Sequence, residues 1–273
     1  GAGEAGVGIA DLIVRAMQRE QPSMPEEELR QRIWLMDSKG LITQDRVDQG
    51  DILADHKLRY AHPSSLLSSN DANTDKDTLP GAVECVRPTT LIGVSAQPEA
   101  FSQQVCERMV SIASEDMHND LFSAPVIFAL SNPTSKAEVT ASNAYTWTDG
   151  RCVFASGSPF DSVTLANGKT FQPGQGNNAY VFPGLGLGAI STGATSITED
   201  DFIVAAEALA SLVSPEQISQ GCVYPPLEDI RAVSATIAAA VANHITDTGR
   251  ATKDISEDFT EYMQERMWKP KGF

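Results

Sequence analysis

The order of apolar and polar positions divides the chain into short buried strands and amphipathic helices. Apolar positions over residues 7–14 (VGIADLIV) recur at helical spacing directly behind a glycine-rich opening. The run at 33–37 (IWLMD) ends in Asp37 and reads as a strand. The runs at 89–94 (TTLIGV), 125–130 (PVIFAL) and 152–155 (CVFA) are continuous rather than alternating and are bounded by turn residues. Parallel strands buried on both faces have that pattern. Residues 101–112, between the first two of these runs, have helical spacing. From residue 178 the pattern turns helical over 179–192, then 200–213 opened by Thr198 and Glu199, then 227–245. Thr198 with Asp201 reads as an N-cap with an acid in the first turn. Residues 68–77 (SSNDANTDKD) read as a surface loop, and no repeat is visible. This alternation predicts an α/β fold, Rossmann-like and doubly wound. The expected sheet is mostly parallel with helices on both faces, and a helical C-terminal tail follows.

The opening carries the first chemistry. Gly1, Gly3 and Gly6 stand as G-x-G-x-x-G with Glu4 and Ala5 between them. In a dinucleotide-binding unit the first Gly makes a tight turn, the second admits the pyrophosphate, and the third lets the helix pack on the sheet. The phosphates then sit on free N–H groups at the helix N-terminus. A hydrophobic strand is expected to feed such a loop, and this sequence has none before Gly1. Such a strand lies centrally, and without it two neighbours lose ladder partners. The chain is therefore expected to be the C-terminal part of something longer, with the first strand of the fold missing. Residues 1–250 are expected to form the nucleotide-binding domain and 251–273 the tail.

Asp37 stands where an acid closing the second strand meets the ribose hydroxyls. The segment 21–28 (QPSMPEEE) makes the spacing longer than the usual figure of about 20 residues. In open parallel sheets ligands bind beyond the carboxyl ends of the strands. Four polar segments fall there: 95–98 (SAQP), 131–134 (SNPT), 156–159 (SGSP) and 173–178 (PGQGNN). An Asn amide both donates and accepts, which suits a small polyfunctional acid. Each segment alone reads as a turn, and four at one edge favour a site.

Composition narrows the partners. The 273 residues carry 20 Lys+Arg against 36 Asp+Glu, a formal net charge of −16. That balance opposes a nucleic-acid surface and docking on anionic lipid. No apolar run approaches the roughly 20 residues of a membrane helix. Cys85, Cys106, Cys152 and Cys222 show neither C-x-x-C nor metal spacing. Reduced thiols in an intracellular protein are expected, with cytosol, mitochondrion and plastid not separable. His56, His62, His118 and His244 read as surface or capping residues, and Cys152, at the start of a buried strand, as core. Glu138, Asp149 and Asp161 are isolated and read as turn or helix-end residues. Gly184, Gly186 and Gly188 read as close helix packing.

Seven segments, in order, resemble the cofactor-binding domain of malic enzymes: GAGEAGVGIADLIV, RIWLMDSKGLI, PTTLIGVSAQPEAF, PVIFALSNPTSKAE, GRCVFASGSPFD, FQPGQGNNAYVFPGLGLG and VYPPLEDIR. LSNPTSKAE and PGQGNN are the most specific. The resemblance implies oxidation of L-malate with NADP or NAD, then decarboxylation to pyruvate with a divalent Mg2+ or Mn2+ stabilising the enolate. It assigns Gly1, Gly3, Glu4, Ala5 and Gly6 to the pyrophosphate, Asp37 to the ribose, and Val94 and Ser95 to the lining beside the dinucleotide. Asn132 and Asn178 match the amides that hold malate, with Asn177 in the same shell. The family's general base, proton donor, malate-clamping Arg and metal carboxylates all lie before the Gly loop. No catalytic or metal-binding residue is therefore named here, and the isolated chain is expected to be inactive. The resemblance also implies a homodimer or homotetramer.

Cofactor choice turns on the residues after Asp37. A 2′-phosphate adds about two negative charges and calls for charge-assisted donors, each worth roughly 1.5–3 kcal/mol. Ser38 and Lys39 resemble the D-S-K-G form of NADP-dependent malic enzymes, and Lys57 and Arg59 add positive charge. Asp37 would repel the phosphate unless it turns away or pairs with Lys39. NADP is the expected cofactor, with NAD the alternative. Two other functions fit the residues less well: another 2-hydroxy-acid or amino-acid dehydrogenase, and a non-catalytic dinucleotide-binding module.

Overall fold

The computed structural model describes residues 1–68, 74–115, 124–255 and 258–268. It divides into two compact units, Gly1–Gln175 and Gly176–Phe273.

The first unit opens with helix α1 (Glu4–Glu20) and the short α2 (Glu26–Arg30). Strands β1 (Met36–Asp37) and β2 (Gly40–Leu41) follow, then the short helices α3 (Gln44–Asp48) and α4 (Asp55–Leu58). Helix α5 (Leu79–Val86) leads into β3 (Thr90–Gly93), α6 (Gln103–Glu115) and β4 (Val126–Ala129). Helix α7 (Ala141–Trp147) and strands β5 (Val153–Ser156), β6 (Val163–Thr164), β7 (Thr170–Phe171) and β8 (Gly174–Gln175) complete it.

A four-stranded sheet in the order β3-β4-β5-β8 is parallel throughout, with Thr90 opposite Val126 and Val126 opposite Val153. Together with its flanking helices it forms a Rossmann-like α/β fold, as the run lengths predict. Ile127 and Ala129 of β4, Phe154 of β5, Met109 and Ile112 of α6 and Tyr145 of α7 form one buried cluster. Tyr145 stacks on Phe171 with ring centroids 4.5 Å apart. Cys106 and Cys152 lie in the same core, where burial pushes the Cys106 thiol up to about 12 and the Cys152 thiol up to about 11.

The expected strand at 33–37 is only partly realised. Met36 and Asp37 pair antiparallel with Leu41 and Gly40 in a two-stranded ribbon outside the four-stranded sheet. The reason is local. Gly40 turns the chain back with φ 110°, and a Cβ there would fall 2.4 Å from the Asp77 Cα. The apolar positions before the turn pack in two directions: Ile33 and Leu35 against Ala2, Val7 and Ala10, and Trp34 and Met36 against Leu41, Ala82 and Cys85.

The second unit is helical, with α8 (Phe182–Thr192), α9 (Glu199–Ala210), α10 (Pro215–Ser219), α11 (Ile230–Asp247) and α12 (Phe259–Arg266). Its centre is α11, whose Ile237, Val241 and Ile245 pack against Leu185 and Ala189 of α8 and Ala205 and Leu209 of α9. Close approach of α8 to α11 explains two of the three repeated glycines. A Cβ at Gly184 would meet Ile237 at 2.7 Å, and one at Gly188 the Ala238 carbonyl at 2.7 Å, whereas Gly186 faces open space. The tail helix α12 buries Met263 against Ala238 and Ala242 of α11.

Candidate functional site

The glycine loop takes the geometry its spacing predicts. Gly3 is the N-cap of α1 with φ −77° and ψ 178°. Its neighbours are constrained in opposite ways. A Cβ at Gly6 would lie 1.7 Å from the Gly1 carbonyl oxygen, so the helix starts in direct contact with the loop. A Cβ at Gly3 would meet nothing within 4 Å, so the described residues leave the space beside the helix N-terminus unfilled. Glu4 is exposed at the first turn and stands 3.5 Å from His56. Val94 and Ser95, just past β3, border the loop: a Cβ at Gly6 would fall 3.4 Å from Val94 and one at Gly1 3.0 Å from Ser95.

A buried acid holds this edge together. Glu138 is fully buried; it accepts from the Ser95 N–H at 3.2 Å and from the Ser131 hydroxyl and N–H. The Ser131 hydroxyl oxygen accepts in turn from the Ala96 N–H at 2.9 Å. Glu138 thus ties the end of β3 to the end of β4, and it is not the isolated turn residue expected from the sequence. Its signal was its place in the LSNPTSKAE run. Asn132, the residue after Ser131, is exposed at the same edge. Its Oδ1 accepts from the Ser158 hydroxyl at 2.7 Å, and its Nδ2 faces the Leu130 carbonyl at 3.5 Å.

Asp37 and Lys39 lie on the ribbon turn, and the residues that flank the ribbon, Leu35 and Ile42, share a buried cluster with Ala2 of the glycine loop and Val7 and Ala10 of α1. Asp37 accepts from the Lys39 N–H at 2.9 Å, an Asx turn that fixes the bend. Its charge is matched by Arg46 of α3, whose Nη1 and Nη2 reach Asp37 at 3.1 and 3.3 Å. Of the two ways by which Asp37 could avoid repelling a phosphate, pairing with the Lys39 ammonium is not the one taken: Arg46 is its partner. The Lys39 ammonium goes to Asp51 instead, and Ser38 is exposed. Arg46 also donates to Asp51 from Nη2 at 2.5 Å and to the Gly40 and Leu41 carbonyls, both at 3.2 Å. Hydrogen bonds from Lys39 and Arg46 hold the Asp51 carboxyl below the ordinary carboxylate range. Arg46 and Asp51 are the residues that sequence reading missed, because their partners come from across the ribbon turn rather than from a motif. Arg59 pairs with Asp11 of α1 at 2.6 Å, and Lys57 is half-buried. His62 is buried rather than superficial, with Nε2 3.0 Å from the Ile33 carbonyl, and desolvation lowers its pKa. His118 lies outside the described residues.

In the second unit, the Asn177 Oδ1 accepts from the Ala179 N–H at 2.9 Å and caps the single turn Asn178–Tyr180, while Asn178 is exposed. Among the described residues no group of three or more His, Cys, Asp or Glu is placed to hold a metal ion, and no helix is long and apolar enough to cross a membrane.

A glycine loop opening a helix beside the carboxyl edge of a parallel sheet defines a Rossmann-like domain of the dinucleotide-binding type. Comparison narrows the class. Residues 1–246 match the family model described as malic enzyme, NAD binding domain. An NADP-dependent malic enzyme of Vitis vinifera is 46% identical over 271 residues, covering 99% of this chain and 42% of that protein. One of Columba livia is 44% identical over 269 residues, covering 98% of this chain and 44% of that protein. The crystal structure of the Entamoeba histolytica malic enzyme superposes with a TM-score of 0.60 at 18% identity, over 95% of this chain and 52% of that one. The chain belongs to the malic enzyme family, and it spans about two fifths of the length of these curated relatives.

Proposed function

We propose that this chain is the cofactor-binding part of an NADP-dependent malic enzyme, which converts L-malate to pyruvate and CO2. The observation that carries the reading is a match over 98–99% of the chain to proteins bearing that name. The division into a cofactor domain at 1–250 and a helical tail at 251–273 belongs to the same proposal, as does assembly into a homodimer or homotetramer.

The residues present fit a dinucleotide. The open space at Gly3 is a cradle that any larger residue would fill, and the first N–H groups of α1 have no intrahelical partners. Gly1, Glu4, Ala5 and Gly6 shape that turn around the pyrophosphate, with Val94 and Ser95 along its side. Asp37 accepts from the ribose hydroxyls. Arg46 offsets its charge, which removes the repulsion that a 2′-phosphate would otherwise meet, and Ser38 and Lys39 supply a hydroxyl and an ammonium for it. Asn132 binds malate through its amide, whose oxygen Ser158 fixes. The malate role expected of Asn178 belongs to the same proposal; it is exposed on its own unit, where Asn177 caps its turn. When bound, the dinucleotide supplies a hydride acceptor for the alcohol carbon of malate. The described residues do not fit a metal ion, so no step through Mg2+ or Mn2+ is derived from this chain.

The test is turnover by the complete polypeptide that carries this chain, with L-malate, Mn2+ and either NADP or NAD. Pyruvate should form with NADP preferred, and Lys39→Ala should lower that preference about tenfold or more, the loss of one charge-assisted donor. An unchanged cofactor ratio in a folded Lys39→Ala protein would remove Lys39 from the site.

A further inference from the structure

The ribbon turn gathers two carboxylates and two cations, and Asp51 is the member that ribose recognition does not call for. It lies just past α3, where its own N–H donates to the Arg46 carbonyl at 3.0 Å. One carboxylate oxygen accepts from the Lys39 ammonium; the other accepts from Arg46 Nη2 at 2.5 Å and Nε at 3.1 Å. The two cations are held very differently. Arg46 is mostly enclosed, with 13% of its side chain exposed, and two carboxylates and two carbonyls fix it. The Lys39 side chain is 67% exposed and meets Asp51 only at its tip. Lys39 can therefore leave Asp51 for a stronger anion, whereas Arg46 cannot without abandoning Asp37.

This position matters if the face beside Asp37 takes the 2′-phosphate, the reading on which the inference rests. A phosphomonoester with about two negative charges and the Asp51 carboxylate then compete for one ammonium. Asp51 also places a negative charge close to the incoming phosphate. Neither effect touches a nucleotide that lacks the 2′-phosphate.

We propose that Asp51 is a specificity-determining positioning residue: by tethering the Lys39 ammonium it weakens the grip on 2′-phosphorylated adenosine and leaves the chain less selective for NADP over NAD than Ser38 and Lys39 alone would make it. Replacing Asp51 should leave the turn intact, because Arg46 keeps both of its bonds to Asp37.

The experiment measures binding of two fragments, 2′,5′-ADP and 5′-AMP, to the complete polypeptide by calorimetry. Asp51→Asn should tighten 2′,5′-ADP about fivefold, the scale of one exposed ion pair, and leave 5′-AMP where it was. In turnover the gain should fall on KM for NADP rather than on kcat. Asp51→Glu, which retains the tether, should bind as the parent does, and adding Lys39→Ala to Asp51→Asn should erase the gain. Unchanged or weaker 2′,5′-ADP binding by Asp51→Asn, with the circular dichroism of the parent, overturns the proposal. So does equal tightening of both fragments, which would mark a merely structural change. A different result separates the underlying reading. If the parent binds 2′,5′-ADP no better than 5′-AMP and Lys39→Ala changes neither, this turn does not face a 2′-phosphate, and the role of Asp51 falls with it.

Discussion

Gly3 and Gly6 stand three residues apart in one motif and answer to different forces. Gly6 is required by the fold, since any Cβ there collides with the Gly1 carbonyl oxygen at 1.7 Å. Gly3 is required only by whatever occupies the space beside it, for its φ of −77° suits any residue and a Cβ meets no atom of the described residues within 4 Å. Two alanine variants should therefore separate. Gly6→Ala should lower stability by about 1–3 kcal/mol, as overpacking does, and impair nucleotide binding as well. Gly3→Ala should lower stability by no more than about 1 kcal/mol, the N-cap preference for Gly over Ala, yet raise KM for the dinucleotide. Equal loss of stability in both variants would refute the division. At this scale the motif residues were legible because spacing alone defines them. Arg46 was not. Its meaning comes from Asp37 and Asp51, nine and five residues away, which only the ribbon turn brings to one guanidinium.

The elements were legible where burial forced a continuous apolar run. The run read at 89–94 contains β3, that at 125–130 contains β4, and that at 152–155 overlaps β5, each within a residue or two of its bounds. The run at 33–37 yields only a two-residue strand: its apolar residues pack alternately toward α1 and toward α5, but its ladder partner is the antiparallel β2 rather than a strand of the main sheet. Strand β8 is two residues long inside PGQGNN, where no periodicity can register. What joins the elements was also hidden. Glu138 reaches across from β4 to the end of β3; its place in LSNPTSKAE marked it, but its task shows only once the two strand ends lie side by side. Replacing it by Ala leaves the Ser95 N–H and the Ser131 groups without their acceptor, at a cost of about 2–4 kcal/mol. The end of β3 should loosen with it. Hydrogen exchange would show this as faster exchange at Ser95 and Ala96 than at Ile127 in the β4 core, and uniform exchange across both strands would refute the role.

The molecule as a whole is strongly acidic, with a net charge of −16, so its response to pH depends on which carboxylates the fold has stabilised as anions. Asp201 is the most enclosed of them. It accepts from the Thr198 N–H at 2.7 Å as the predicted cap, and Arg250 clamps it at 2.7 and 2.8 Å. Burial alone would raise its pKa, but Arg250 and the Thr198 cap outweigh burial and lower it. A carboxyl depressed in the folded state stabilises the protein at pH above its unfolded value, and the contribution fades as pH falls through the folded one. Asp51, Glu115 and Glu216 are shifted in the same direction. Stability should therefore hold from neutrality to about pH 4 and decline below it. Arg250→Met reverses part of this. The carboxylate stays fully buried without its main partner, at a cost of about 3 kcal/mol near pH 7. The Asp201 pKa then rises above its unfolded value, so protonation favours the folded state as the solution is acidified. Denaturant unfolding of parent and variant at pH 7 and pH 5 decides the matter. The stability gap between them should narrow on acidification, and a gap that stays constant or widens would mean that Asp201 does not depend on Arg250 for its charge.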